Sequence, residues 1–521
     1  MRRAVAFSAL LLATAAGAET RGDRWWGHVR VLAADDMRGR QTGSADYLRA
    51  AAYVVGRFKA LGLEPAGVQD YLQPVAFIEQ TISGSSSKAA LVGPNGTTAI
   101  GVPDAMIVSG SGGPAPVAID APLVFAGYGL HIPEAGWDDF AGLDVRGKIV
   151  VVMAGGPSSL SGALKSDARS RRTKWLADRG AVGILTLTPP GQIEIPWVRR
   201  KLIASQPAMY FADPALRDLK RPFFSAMFDT ARSELLFAGS SHSFAEVAAL
   251  ADAAKPVPRF ALPQRLTATI AATRRPVTSP NIVARLPGRD PALKAQQVIV
   301  SAHLDGLGVG EAVGGDRIYN GAMDDASGVA TVLEIAAKLR ADGARPRRSI
   351  LFLIVCGEEK GLLGSHYFAE RPTVPRDSIV ADLNFDMPLP LWPLRNVIVL
   401  GADESSLGRQ AEAVGAARGL PLVPDPLPDR NAFIRSDQYS FIRAGIPSIA
   451  FKFGFARGTP EERIEHDWRA VRYHSPSDDS AQSVEKEEAV KLNDFVADLA
   501  LRVADADEAP IWNATSRFGK K

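Results

Sequence analysis

Cysteine is nearly absent from this 521-residue chain, where Cys356 stands alone. One thiol cannot form an intramolecular disulfide, so the fold must rest on its core or on bound metal ions. A nucleophilic thiol would need a neighbouring base, and the sequence around Cys356 offers none, so it reads as a small buried hydrophobe. Histidine occurs only seven times and aromatic residues make up 7%. An excess of either charge is also missing: 60 Lys and Arg face 57 Asp and Glu, for a net charge of +3. That balance leaves no basic field suited to nucleic acid, and short clusters such as Ser170–Lys174 read as solvated faces. Past the N-terminus no run is long and apolar enough to cross a bilayer.

What is present is ordinary for a water-soluble chain, 46% hydrophobic and 22% charged. The length exceeds what one simple core accommodates and predicts two or three domains. Residues 1–18, "MRRAVAFSALLLATAAGA", read as a secretory signal peptide. Arg2 and Arg3 form its basic start, the apolar stretch from Ala4 is too short to span, and Ala16-Gly17-Ala18 suits cleavage after Ala18. With no Cys nearby, a lipid anchor is excluded. The expectation is a periplasmic or secreted protein with no membrane anchor.

From 19 to 116 the chain reads as helix, polar loop and helix, then a β-rich stretch. The second helix carries Leu48, Tyr53, Val54, Phe58 and Leu61 at helical spacing and stops at Gly62. Between 117 and 261, short apolar strands bounded by Gly and Pro ("PLVFAGYGL", "GKIVVVMAGG", "AVGILTLTP") and one helix suggest an inserted β-rich module. Residues 262–280 read as a linker. From 281 to 505, buried strands ("NIVARLPG", "QQVIVSAHLD", "SILFLIVCGEE", "IVADLNFDM", "NVIVLGA", "PSIAFKFG") alternate with helices at 326–339, 361–369, 405–418 and 484–503. This is the signature of an α/β three-layer sandwich around a mostly parallel sheet, whose ligand sites lie at the carboxyl ends of strands. Residues 506–521 read as a tail.

Acidic and histidine residues collect at those strand ends. "SAHLDG" supplies His303 and Asp305, "AMDDASG" Asp324 and Asp325, "CGEEKG" Glu358 and Glu359, "NFDMP" Asp386, and "RYHSPSDD" His474. Carboxylates converging on one sheet edge repel one another unless cations sit among them. Two His with three carboxylates and no Cys suit zinc, with Mn²⁺ or Co²⁺ as substitutes. Five protein ligands exceed one tetrahedral catalytic zinc and suit two ions sharing a carboxylate. In His303-x-Asp305 the two side chains share a face of an extended segment, so Asp305 can accept the second ring N–H of His303. Glu358 and Glu359 point opposite ways, so one can bind metal while the other takes a proton from water. His366, inside a helical pattern, and His466, in a charged segment, read as structural. Asp324 and Asp325 precede a helix, where an acid also serves simply as a cap.

These pieces, in order across 281–479, resemble the di-zinc aminopeptidases of clan MH, the group of bacterial leucyl aminopeptidases and glutamate carboxypeptidase. "LAADDMRGRQTGS" near the N-terminus resembles that family's opening segment, and 117–261 resembles the protease-associated domain often inserted there. The resemblance implies a zinc exopeptidase-like fold and two Zn²⁺ per chain. His303 and Asp386 would hold one ion, Glu359 and His474 the other, with Asp324 bridging. It further implies Glu358 as general base, Asp305 as the partner orienting His303, and peptides as substrates. Asp325 stands where many relatives carry Asn. Phe433 stands where some relatives place an oxyanion-stabilising Tyr, leaving Arg435 or Tyr439 as possible replacements. A glutaminyl cyclase-like acyl transferase with a single zinc, and a receptor-like binding protein that has lost its ligands, are the alternatives on the same fold.

Overall fold

The computed structural model describes residues 19–519 except 194 and 205, so the expected signal peptide lies outside the described residues. Helix Arg21–Leu32 is capped by Thr20, whose side chain accepts from the Asp23 amide, and helix Ala45–Ala60 is capped in the same way by Ser44. Both pack beside helix Ser327–Ala341.

Strand Gln297–His303 lies at the centre of the large sheet, parallel to Ser349–Val355 on one side and Ile379–Phe385 on the other. Ser448–Phe453 continues parallel, Val397–Leu400 follows antiparallel, and Leu422–Val423 closes that edge. Alternation along these strands feeds two different cores. Val298, Val300 and Ala302 join Ile350, Phe352 and Ile354 beneath helices Arg21–Leu32, Ser327–Ala341 and Lys486–Asp505. Ile299, Leu351, Leu353 and Val355 face the other way, against Phe368, Ala369 and Phe441. Helices thus cover both faces, and the three-layer arrangement holds. Because the strands are buried on both faces, they appear in sequence as unbroken apolar runs.

The β-rich module has cores of its own. It is not joined by a linker. The stretch expected as one, 262–280, lies within a single 28-residue strand, Arg259–Leu286, that runs through both halves. Its C-terminal end pairs with Ser349–Val355, its N-terminal end pairs with Ala118–Ala126, and strand Leu72–Gly93 lies antiparallel along most of its length. The module also recruits residues from before 117, since Met106–Val108 pairs with Phe224–Phe228. The expected tail is docked: Trp512 donates to the Gly445 carbonyl, and Phe518 packs with Ile434, Tyr439 and Ile442. Among the described residues no helix is long and apolar enough to cross a membrane.

Candidate metal centre

Three parallel strands end side by side, and their carboxyl ends deliver His303, the Glu358–Glu359 turn and Asp386. The loop before helix Ser327–Ala341 brings Asp324, and the loop after helix Pro460–Val471 brings His474. His303 Nε2 lies 3.3 Å from Asp324 Oδ1, and His474 Nε2 lies 3.3 Å from Asp324 Oδ2. His474 Nε2 is also 3.4 Å from Glu359 Oε2. Donor atoms of His303, Asp324 and Asp386 fall within 4.8 Å of one another, and so do those of Asp324, Glu359 and His474. Two groups therefore share one carboxylate, with one oxygen turned to each histidine.

The electrostatics match that crowding. Burial acts to lower the His303 pKa, but Asp324, Glu358 and Asp325 outweigh it and hold the imidazole well above its usual range. For His474 burial is likewise outweighed, by Glu359 and Asp324, and the pKa is pushed up to about 10. Burial would raise the Asp324 carboxyl; the two imidazoles reverse this and lower it. Burial pushes the Glu358 carboxyl well above the usual range, with Asp386 and Glu359 adding to the effect. Such a concentrated negative field is what dications neutralise. The buried His303 Nε2 makes no well-formed hydrogen bond, as expected of a nitrogen left for a metal. The donor set of imidazole and carboxylate without thiolate fits zinc.

Asp324 and Asp325, joined by a cis peptide, have different partners. Asp325 Oδ1 accepts the amides of Gly328 at 2.9 Å and Met387 at 3.1 Å, so Asp325 serves the first turn of the helix. Asp324 faces the histidines. Asp305 departs from expectation in detail. Its carboxylate is 3.9 Å from His303 Nδ1, whereas its own backbone carbonyl lies 3.1 Å away and sets the ring. The carboxylate instead accepts from Thr42 Oγ1 at 2.9 Å and from the Glu358 amide at 3.1 Å, holding the Glu358 turn in place.

Several positioning residues escaped the sequence reading. Arg40 is fully buried and donates to four carbonyls: Leu304 at 2.9 Å, Leu32 at 2.5 Å, Asn320 at 2.6 Å and Gly321 at 2.9 Å. Gly39 beside it has φ +68°, and a Cβ there would meet the Tyr319 carbonyl oxygen at 2.4 Å, so only glycine lets this segment approach. Asp478 accepts from the amides of Met323 at 3.0 Å and Asp324 at 3.1 Å, fixing the bridging loop. Lys452 donates to the carbonyls of Asp386 and Met387. From the inserted module, Arg199 donates to the carbonyls of Ala470 and Tyr473, just ahead of His474. Gly39 and Arg40 lie in the "LAADDMRGRQTGS" stretch and Asp478 in "RYHSPSDD", whereas no sequence signal marks Arg199 or Lys452.

The remaining expectations divide. His366 packs edge-on against Phe211 and His466 is exposed beside Asp467, so neither joins the cluster. Tyr439 turns toward the inserted module, with its hydroxyl 2.5 Å from Ser170 Oγ and 3.2 Å from Asp167 Oδ1. Phe433 packs against Phe518, and Arg435 is exposed. Cys356 is buried, as expected.

Residues 281–500 match the family model Peptidase family M28. That stretch forms a domain similar to the M28 peptidases. The match contains all five clustered residues together with Glu358 and Asp305. The chain is 29% identical to leupeptin-inactivating enzyme 1 of Streptomyces exfoliatus over 246 residues, covering 45% of this chain and 48% of that protein. A probable zinc metalloprotease of Pyricularia oryzae is 40% identical over 96 residues, 18% of each chain. The chain spans about half the length, or less, of the curated relatives it matches. An aminopeptidase from Aneurinibacillus sp. strain AM-1 shares the fold at TM-score 0.54 and 19% identity, covering 94% of this chain and 95% of that one. A zinc aminopeptidase from Bacillus subtilis does so at TM-score 0.50 and 19% identity, covering 94% and 96%. The likeness to these two extends beyond the M28-like domain to nearly the whole chain.

Proposed function

We propose that this chain is a zinc-dependent exopeptidase of aminopeptidase type, working with two metal ions. One observation carries the reading: the two oxygens of Asp324 each face a different histidine at 3.3 Å. His303 and Asp386 would hold one ion, His474 and Glu359 the other, and Asp324 both. Two groups sharing a carboxylate favour two ions over the single zinc of a cyclase. Bound zinc supplies Lewis acidity and lowers the pKa of water toward neutrality. The rest is the work of side chains. Glu358, its amide tied to Asp305, takes the proton of the attacking water and later returns it to the leaving amine. The module within 117–261 reads as a protease-associated domain whose Arg199 reaches the His474 loop, and the N-terminal pattern reads as export to the periplasm or medium.

The test is Glu358→Gln with metal content measured alongside hydrolysis of leucine p-nitroanilide. The expected result is unchanged zinc and a kcat reduced about 10²- to 10⁴-fold. A variant with undiminished kcat removes Glu358 from the mechanism, and a chelator-treated native protein with full activity removes the metals.

A further inference from the structure

A second cleft, of about 830 Å³, opens between the inserted module and the M28-like domain. Phe211 and Leu219 line it from the module, Ile434 and Ile442 from the domain. Lys360 also lines it, and is only 5% exposed. Among the described residues it has no hydrogen-bond or ion-pair partner. The carboxylates within its electrostatic reach are engaged elsewhere: Glu79 pairs with Arg275 at 2.6 and 2.7 Å, Asp305 with Thr42 and the Glu358 amide, and Glu359 with His474. Other cations of the cleft are paired, Arg171 with Asp167 at 2.9 Å, Lys174 with Asp178 at 2.5 Å, Arg443 with Asp218 at 3.3 Å, and Arg517 through Nη2 with Glu134 at 2.8 Å and Asp167 at 2.7 Å, its buried Nη1 alone being left over. Arg217 donates to the carbonyls of Phe211 and Ala212.

An ammonium that lines a cleft without an anionic partner gains a charge-assisted bond when a carboxylate arrives. We infer that this cleft is a binding site for a carboxylate with an apolar body, Lys360 taking the carboxylate and the hydrophobic wall the rest. A single ammonium suits one monoanion; a phosphate would call on several guanidinium forks, and those of Arg171, Arg217 and Arg443 are paired. The volume lies within the range of small-molecule sites. Lys360 follows Glu359 directly, and consecutive Cα atoms are about 3.8 Å apart. The carboxylate could therefore be the C-terminus of a short peptide reaching the metal groups, or belong to a separate molecule. The inference itself does not depend on the peptidase reading.

The probe is N-acetylphenylalanine against its amide, titrated calorimetrically into full-length chain stripped of metal so that zinc cannot ligate the acid. The acid should bind about 10- to 100-fold more tightly than the amide. Lys360→Met should erase that difference and Lys360→Arg retain it, both with an unchanged urea midpoint. Equal binding of acid and amide overturns the site, as does a folded Lys360→Met that still prefers the acid. Should Lys360→Met fail to fold, the acid–amide comparison in the native protein and Lys360→Arg still decide. The metal-loaded protein then identifies the source. A KM for Leu-Phe about 10-fold or more below that for Leu-Phe-amide, lost in Lys360→Met, assigns the carboxylate to the substrate. Equal KM values alongside acid binding assign it to a separate molecule. Hydrolysis of neither peptide refutes the peptidase proposal and leaves the binding result standing.

Discussion

Arg40 makes the most demanding prediction, because nothing in its chemistry touches a metal. Its guanidinium is fully buried and joins the end of the first helix, the segment after His303 and the loop before Asp324 through four carbonyl hydrogen bonds of 2.5 to 2.9 Å. Arg40→Met keeps most of the stem and removes every donor. Each charge-assisted bond contributes ~1.5–3 kcal/mol, so the gross loss is ~6–12 kcal/mol. Against this stands the relief of no longer burying a guanidinium, several kcal/mol, and water reaching some freed carbonyls. Asp305, Asp324, Asp325 and Asp478 all lie within its electrostatic reach and lose a compensating cation, which limits that relief. A net destabilisation of ~3–5 kcal/mol follows, in line with breaking one side of a buried pair. With a urea dependence of ~3 kcal/mol per molar, the unfolding midpoint of metal-free protein falls by ~1–1.7 M. Zinc affinity should fall in parallel, because the Asp324 loop loses its tether. A midpoint within about 0.2 M of the native value would refute the reasoning. It would mean that Arg40 is held by the fold and does not hold it.

The paired acids give an internal control. Asp324→Asn should cost both metal ions by elemental analysis, whereas Asp325→Asn keeps an oxygen for Gly328 and Met387 and removes a buried oxygen with no partner, so metal content and stability should hold. Arg199→Ala frees the carbonyls before His474; zinc titration should show one site weakened about 10-fold and the other unchanged. Two equally affected sites would show a general loss of structure instead. In the inserted module, burial raises the Asp139 carboxyl from 3.8 to about 6. A raised acid favours the folded state only while protonated. Stability should therefore decline as pH rises from about 4 to about 6 and stay lower above that, by ~3 kcal/mol. Asp139→Asn should flatten this slope in urea unfolding across that window, and a slope unaltered in the variant would assign it to another group.

The sequence made the centre of this molecule legible for a physical reason. Strands buried on both faces are largely apolar, so the charged and histidine residues at or just past their ends stand out: His303 after "VIVSA", Glu358 after "LFLIVCG", Asp386 after "VADLNF". Their convergence followed from the sheet being parallel. The long strand Arg259–Leu286 was illegible for the converse reason. Around Thr273–Pro276 it spans the gap between two cores and is exposed, so neither an apolar run nor an alternation marks it, and Pro276 and Pro280 imitate a linker. Arg40, Asp305 and Asp478 were hidden or misjudged because their partners are mostly backbone groups. A carbonyl or an amide has no letter in the sequence, and only the folded chain says which carbonyls a buried guanidinium will find. The same distinction separates Asp324 from Asp325. Both are buried acids before a helix, equal in composition and one residue apart. Asp325 meets two backbone amides, of Gly328 and Met387, and ties the start of the helix to the segment after Asp386; Asp324 faces two imidazoles. What the motif alone left open turns on whether a carboxylate faces backbone or side chains. The pair of Asn substitutions therefore tests the division of labour more sharply than any change at a lone histidine.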